Sequence, residues 1–215
     1  MSETLQSARP TTTKDSIYER SCVHIVDDDP QFRSAISLLL QSSGIRTEVY
    51  RSGEHFISVY QPGQVECMLL DLRMPGLDGL TLQAELRKRQ IRLPLIVISG
   101  FAETPSVVRA MRQGAIDFLE KPVEEQVLLE KVERALQADQ AFKAETGDLS
   151  VRLSRLSERE REVMQLLCEA YTTIEVARRL EISPKTVEKH RLKIFDKLDV
   201  ASVPELICRM SRMNV

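Results

Sequence analysis

From residue 23 onward the chain alternates short apolar runs with longer stretches whose apolar residues recur every three or four positions. Val23-His24-Ile25-Val26 has the length and β-branched content of a buried strand, and Phe32 to Leu40 has helical spacing. The alternation repeats. Strands are predicted over Arg46 to Tyr50, Val65 to Leu70, Leu95 to Ile98 and Ile116 to Leu119. Helices are predicted from about Gly53 to Tyr60, Leu80 to Arg89, Pro105 to Arg112, and from Glu124 to beyond Leu136. Leu95-Ile96-Val97-Ile98 is the most apolar run, as a central parallel strand requires. Five strand–helix rounds predict an α/β domain over 21–138 built on a doubly wound, five-stranded parallel sheet.

After Ala138 the periodicity weakens and Gly147-Asp148 intervenes, which places a linker over 139–150, with a helical extension as the alternative. The remainder, 151–215, carries no strand pattern. Ser157-Glu158-Arg159-Glu160 is a capping box opening a helix that ends near Tyr171. Thr172 or Thr173 can cap a second helix, Ile174 to Leu180. Ser183-Pro184 supplies a cap with proline at the first helical position for a third, reaching about Leu198. Ser202 to Glu205 opens a short fourth.

Composition refines this two-domain picture. The 215 residues carry a net charge of -2, unevenly spread. From Ser150 to Val215 there are 13 Lys/Arg against 10 Asp/Glu, which leaves 17 against 22 for the rest. An acidic front and a basic back point the back half toward nucleic acid. Cys22, Cys67, Cys168 and Cys208 form no C-x-x-C pair and have no histidine at the usual ligand spacing, which argues against a disulfide framework and a zinc site. No apolar stretch approaches the roughly 20 residues that span a bilayer. Residues 1–20 are rich in Ser and Thr without a signal-peptide core, so a disordered tail and a cytoplasmic protein are expected.

Ligands of a doubly wound sheet bind beyond the carboxyl ends of its strands. Those ends carry Asp27-Asp28-Asp29, Asp71, Ser99-Gly100 and Lys121-Pro122. Three converging carboxylates repel one another unless a cation joins them, and hard oxygen donors suit Mg²⁺. Lys121 can neutralise an incoming phosphoryl group, and the Ser99 hydroxyl can donate to it. A carboxylate can attack phosphorus, and Asp71, alone at its strand end, is the best nucleophile, with Asp27 and Asp28 better placed as metal anchors. Asp29, ahead of Pro30, serves equally well as a helix cap. Phe118, by spacing alone, is a core residue.

In the helical half, Lys185, Lys189 and Lys193 recur at i, i+4 and i+8 on one helix face, while Val187, Ile194 and Leu198 point to another. Positive charge in the first turns of a helix opposes its dipole unless phosphate or a base edge compensates, so this helix is a candidate for the major groove.

Residues 22 to about 138 resemble the receiver domain of two-component response regulators. The motifs are Ile25-Val26-Asp27-Asp28-Asp29, Leu70-Asp71-Leu72-Arg73-Met74-Pro75-Gly76-Leu77-Asp78-Gly79, Val97-Ile98-Ser99-Gly100 and Phe118-Leu119-Glu120-Lys121-Pro122. Leu156-Ser157-Glu158-Arg159-Glu160-Arg161-Glu162-Val163 and Ile182-Ser183-Pro184-Lys185-Thr186-Val187-Glu188-Lys189-His190-Arg191 resemble the LuxR-type helix-turn-helix of the NarL/FixJ regulators, the FixJ-like subgroup above all.

The resemblance implies a flavodoxin-like strand order 2-1-3-4-5 and a four-helix DNA-binding module. Asp71 accepts phosphate from a sensor histidine kinase. Asp27, Asp28, Asp71 and the Arg73 backbone carbonyl bind Mg²⁺, for which Mn²⁺ can substitute. Ser99 and Phe118 form a switch pair beside Lys121, and Lys121-Pro122 is a cis peptide. Arg73 and Phe101 flank the pocket at positions that tune phosphoryl lifetime. Phosphorylation then promotes a homodimer through the surface around Val107 to Leu119. Lys185, Thr186, Glu188 and Lys189 face the bases of a double-stranded operator, and His190, Arg191 and Lys193 contact phosphate. RNA polymerase is the downstream partner, activation the expected direction, and no membrane is involved. The chain departs from the commonest pattern at Ser99 (usually Thr), at Lys189 (often apolar) and at Ala170-Tyr171, where a glycine is common.

An enzyme that turns over an aspartyl phosphate is the main competing class. The haloacid-dehalogenase type needs a second Asp two residues after the nucleophile, where this chain has Arg73, and no Walker loop or Ser-His-Asp set offers another activity. A decayed receiver on a phosphorylation-independent DNA-binding protein conflicts with the intact set Asp27, Asp28, Asp71, Ser99 and Lys121.

Overall fold

A computed structural model describes Tyr18, residues 20–100 and residues 104–213. Most of the expected tail, and Phe101, lie outside the described residues. Tyr18 does not follow the expected disorder, since it packs against the core and its carbonyl accepts from Ser21 Oγ at 3.0 Å. The chain divides into two compact units between Ala141 and Phe142.

In the first unit, strands β1 (Ser21–Val26), β2 (Arg46–Tyr50), β3 (Val65–Asp71), β4 (Leu95–Ser99) and β5 (Asp117–Glu120) form one parallel sheet in the order β2-β1-β3-β4-β5. Helices α1 (Pro30–Ser42), α2 (Gly53–Val59), α3 (Gly79–Lys88), α4 (Thr104–Arg112) and α5 (Glu125–Ser154) connect and cover it. Alternation along each strand divides the core. Val23, Ile25, Cys67, Leu69, Ile96 and Ile98 pack with α1 and α5, whereas Val26, Met68, Leu70 and Val97 pack with α2, α3 and α4. Each fully buried aliphatic side chain contributes about 1.5–3 kcal/mol. Because β3 is buried on both faces and along its whole length, its sequence shows no alternation.

Caps place the helix starts. Asp29 accepts from Gln31 N at 2.8 Å and Phe32 N at 3.3 Å, which starts α1 with Pro30 in its first turn. Asp78 does the same for α3, accepting from Thr81 N at 2.7 Å.

The linker expected over 139–150 is helical, so α5 runs to Ser154 without a break. The stretch has no proline, and half of it (Gln140, Ala141, Lys143, Ala144, Glu145 and Leu149) consists of good helix formers. Good helix formers outweigh the roughly 1 kcal/mol that Gly147 costs, and an Arg152–Asp148 pair at i, i+4 (2.6 Å) adds support. Asp139, 1% exposed, belongs to the first unit: its Oδ2 accepts from the Glu66 backbone N–H at 2.8 Å.

The second unit closes with α6 (Glu158–Cys168), α7 (Thr173–Arg179), α8 (Pro184–Leu198) and α9 (Val203–Met213). Val163, Leu167, Val176, Val187, Ile194, Leu198 and Leu206 form its core. Ser157 and Glu160 make the reciprocal capping box that their spacing predicts, Thr172 caps α7, and α9 has 11 residues rather than the short helix expected. Ala170 adopts φ 62°, a left-handed conformation that glycine takes without strain, which gives the departure from glycine there a structural meaning.

Glu160 is buried, accepting from Ser157 N at 2.8 Å and from Lys197 Nζ at 2.6 Å. The Lys197 bond first, then the Ser157 N–H, hold its carboxyl down at about 2 against an ordinary 4.5. A depressed folded-state value stabilises the fold above the ordinary range, and that contribution is lost as pH falls from about 4.5 toward 2. Glu160→Gln is therefore expected to destabilise this unit by about 1–3 kcal/mol at neutral pH and to flatten its acid unfolding, measured by circular dichroism against pH.

Candidate functional site

The carboxyl edge of the sheet gathers the residues that the motifs single out. Asp27 follows β1 and is buried. Asp71 closes β3 at 7% exposure, and Asp28 stands exposed beside them. Carboxylate oxygens of the three lie within 4.8 Å of one another. Lys121, following β5, reaches back so that its Nζ donates to Asp27 Oδ2 at 2.6 Å and Asp71 Oδ2 at 3.3 Å. Its ammonium also sits 3.9 Å from the centre of the Phe32 ring. The Lys121-Pro122 peptide is cis, as the resemblance implies.

Burial raises the Asp71 carboxyl above its ordinary value; Lys121 opposes the shift and Asp27 adds to it. For Lys121, burial lowers the ammonium, but its bonds to Asp27 and Asp71 outweigh this and the net direction is upward. One ammonium faces three carboxylates, and a small divalent cation fits both the charge deficit and the hard-oxygen donor set.

Ser99 ends β4 at 1% exposure, one residue beyond Ile98, the register partner of Asp71. Its carbonyl accepts from Lys121 N at 3.0 Å. Phe118 is half-buried, pairs in register with Val97 and packs against the α2–α4 side of the core. Arg73 N donates to Asp71 Oδ1 at 3.3 Å. Asp29 is taken up by the α1 cap rather than by the carboxylate cluster.

Two supports escaped the sequence reading. A Cβ on Gly79 would lie 2.3 Å from the Asp71 carbonyl oxygen, so only glycine lets α3 begin against the end of β3. Glu54 accepts from Leu77 N at 2.7 Å and ties down the turn after Pro75. Glycine-rich turns are common enough that Gly79 looked ordinary, and Glu54 has no local signal at all.

In the second unit α8 offers a second surface. Val187, Ile194 and Leu198 are buried against α6 and α7, and Lys185, Glu188, Lys189 and Lys193 are exposed. Glu188 is partly engaged: its Oε1 accepts from Thr173 Oγ1 at 2.8 Å and lies 3.4 Å from Arg191 Nη1. His190 is half-buried, with its Nδ1 turned inward and without a partner, a less open position than a phosphate contact suggests. Leu192 (69% exposed) and Ile174 (64%) are large apolar side chains in solvent that the basic pattern did not reveal.

Residues 23–133 match the response regulator receiver domain, and residues 154–210 match the luxR family of bacterial regulatory proteins. The transcriptional regulatory protein FixJ of Rhizobium meliloti is 37% identical over 86% of this chain and 92% of its own. The tetrathionate response regulatory protein TtrR of Salmonella typhimurium is 34% identical over 89% and 92%. Full-length FixJ from B. japonicum superposes with a TM-score of 0.53 at 32% identity, covering 90% of this chain and 97% of that one. No helix among the described residues is long and apolar enough to cross a membrane.

A raised folded-state value means that ionising Asp71 costs stability as pH rises above its ordinary 3.8. In Mg²⁺-free buffer Asp71→Asn is expected to melt above the wild type at neutral pH. That gap should close as pH falls below the ordinary carboxylate range; equal melting at neutral pH would contradict the direction assigned.

Proposed function

The chain belongs to the two-component response regulators that join a receiver domain to a LuxR-type DNA-binding domain and act as transcription regulators; on that premise we propose that Asp71 is its phosphoacceptor, and that α8 reads an operator once Asp71 is modified. The observation that carries the reading is the convergence of buried Asp71 with Asp27, Asp28 and Lys121 at one end of the sheet.

An Asp71 carboxylate oxygen attacks the phosphorus of a phosphohistidine on a sensor kinase. A P–O bond forms, the P–N bond breaks, and the imidazole leaves with its electron pair and takes up a proton. Mg²⁺ held by Asp27, Asp28, Asp71 and the Arg73 carbonyl would screen the phosphoryl charge, with Mn²⁺ able to replace it. Lys121 supplies a point charge to the transferred oxygens, and Ser99 a hydroxyl donor. The acidic set has no second carboxylate at position 73 to act as acid or base, so the aspartyl phosphate is a state to be read rather than an intermediate to be turned over.

The new charge at Asp71 draws Ser99 and Lys121 toward the phosphoryl group, and Phe118 follows within the α4–β5 surface. That surface already exposes Val108 and Met111, at i, i+3 on α4, and Ile116 before β5. A homodimer formed there buries them and presents two copies of α8 to two half-sites. Lys185, Thr186, Glu188 and Lys189 lie toward the bases, with Glu188 held by Thr173. Arg191 and Lys193 position the helix on phosphate, with His190 supporting it from the partly buried side. Bound upstream of a promoter, the dimer recruits RNA polymerase and activates transcription.

Asp71→Asn is expected to abolish labelling by acetyl phosphate with Mg²⁺, measured by intact mass; undiminished labelling would place the phosphosite elsewhere. Lys189→Ala is expected to weaken specific operator binding by about 1–3 kcal/mol, read by a mobility-shift titration at fixed salt. Unchanged affinity would refute the groove assignment.

A further inference from the structure

At the amino end of the sheet, opposite Asp71, β1, β2 and β3 carry a second polar cluster that phosphoryl transfer does not use. Cys22 and His24 are two residues apart on a strand and so share a face. The register sets Arg46 and Glu66 on either side of Cys22, and Glu48 beside His24. A ligand atom from each of Cys22, His24 and Glu48 lies within 4.8 Å of the other two. Cys22 and His24 are buried, Glu48 is partly exposed, and the cluster lines a cavity of about 390 Å³ with Arg20, Gln61 and Gln64 at its walls.

The imidazole is braced from behind. Its Nε2 lies 3.1 Å from Glu66 Oε1, and Glu66 Oε2 accepts from Tyr60 Oη at 3.0 Å. With Glu66 accepting a hydrogen bond from Nε2–H, Nδ1 is left as the lone-pair nitrogen, 3.8 Å from Glu48 Oε2. Tyr50 Oη stands 3.1 Å from Nδ1 but has one proton, and its shorter bond, 2.7 Å, goes to Glu48 Oε2. A carboxylate behind a histidine that has a thiol and a second carboxylate within reach is the arrangement of a metal-ligating histidine.

We propose that Cys22 Sγ, His24 Nδ1 and Glu48 form a site for a borderline transition-metal ion of the zinc class, with water from the cavity as fourth ligand. Sulfur, nitrogen and oxygen donors together select such an ion over Mg²⁺, so the site is chemically separate from the all-oxygen pocket at Asp71. Thiolate and carboxylate balance a divalent charge. On binding, the Cys22 S–H bond breaks, its proton leaves to solvent, and a sulfur–metal bond forms without any change of oxidation state. Arg46, 70% exposed and hydrogen-bonded to Glu48, supplies positive charge in the metal-free chain and can swing outward. Searching for C-x-x-C spacing, as in a zinc loop, misses this set, because its cysteine and histidine are spaced for a strand.

Co²⁺ titration of the full chain under reducing conditions, with excess Mg²⁺ to occupy oxygen-only sites, tests the proposal. One Co²⁺ per chain is expected, with a thiolate-to-cobalt charge-transfer band that Zn²⁺ displaces and Cys22→Ser removes. Glu48→Gln, at a partly exposed position that leaves the fold intact, is expected to weaken binding roughly tenfold or more. Arg46→Ala, which removes the competing cation, is expected to strengthen it. A folded wild type without the band, an undiminished band in Cys22→Ser, or unchanged affinity in Glu48→Gln would overturn the assignment and leave the cluster a hydrogen-bond network of the sheet.

Discussion

One ammonium against three carboxylates is the constraint on which the first unit is organised. Lys121 arrives from the far edge of the sheet to stand between Asp27 and Asp71, which lie at the ends of neighbouring strands. Such a meeting requires β1, β3 and β5 to end together, and therefore fixes the register of the sheet and the paths of the loops leaving it. Gly79 and Glu54 follow from the same requirement: the chain after Asp71 must turn tightly and lie against it. The balance is incomplete by design of the residues themselves, and an incomplete charge balance is what makes a pocket responsive to a cation or a phosphoryl group.

The sheet was legible because burial on both faces leaves little choice of residue: Val65 to Leu70 and Leu95 to Ile98 read as strands without context. The acidic set was legible because strand ends collect ligands, and the chain shows its strand ends. What escaped was long-range or depended on sterics. Glu54 reaches Leu77 across 23 residues, and nothing near either position announces it. The helix through 139–150 was obscured by one glycine, whose local cost is small beside the propensity of its neighbours. Asp29 was ambiguous rather than hidden: its place before Pro30 suits a helix cap as well as the charged motif, and the cap is the use it has.

On α8 the lysine stripe was visible and its neighbours were not. Exposure of Leu192 on α8 and Ile174 on α7 shows that the surface of the module is not basic alone but carries large apolar side chains as well. Glu188 illustrates a different limit. Its spacing places it on the open face, yet its bond to Thr173 also links α8 to the start of α7, so one side chain both faces outward and joins two helices.

The buried bond from the Glu66 backbone to Asp139 has a practical meaning for anyone cutting this chain into pieces. Sequence periodicity invites an end at residue 138, one position short of the acceptor. A fragment ending there would deprive a fully enclosed strand of a side chain 73 residues away, at a cost of about 1–3 kcal/mol. The first unit thus carries its own boundary marker, and a fragment that keeps the full stability of the sheet must extend past Asp139 into the helix.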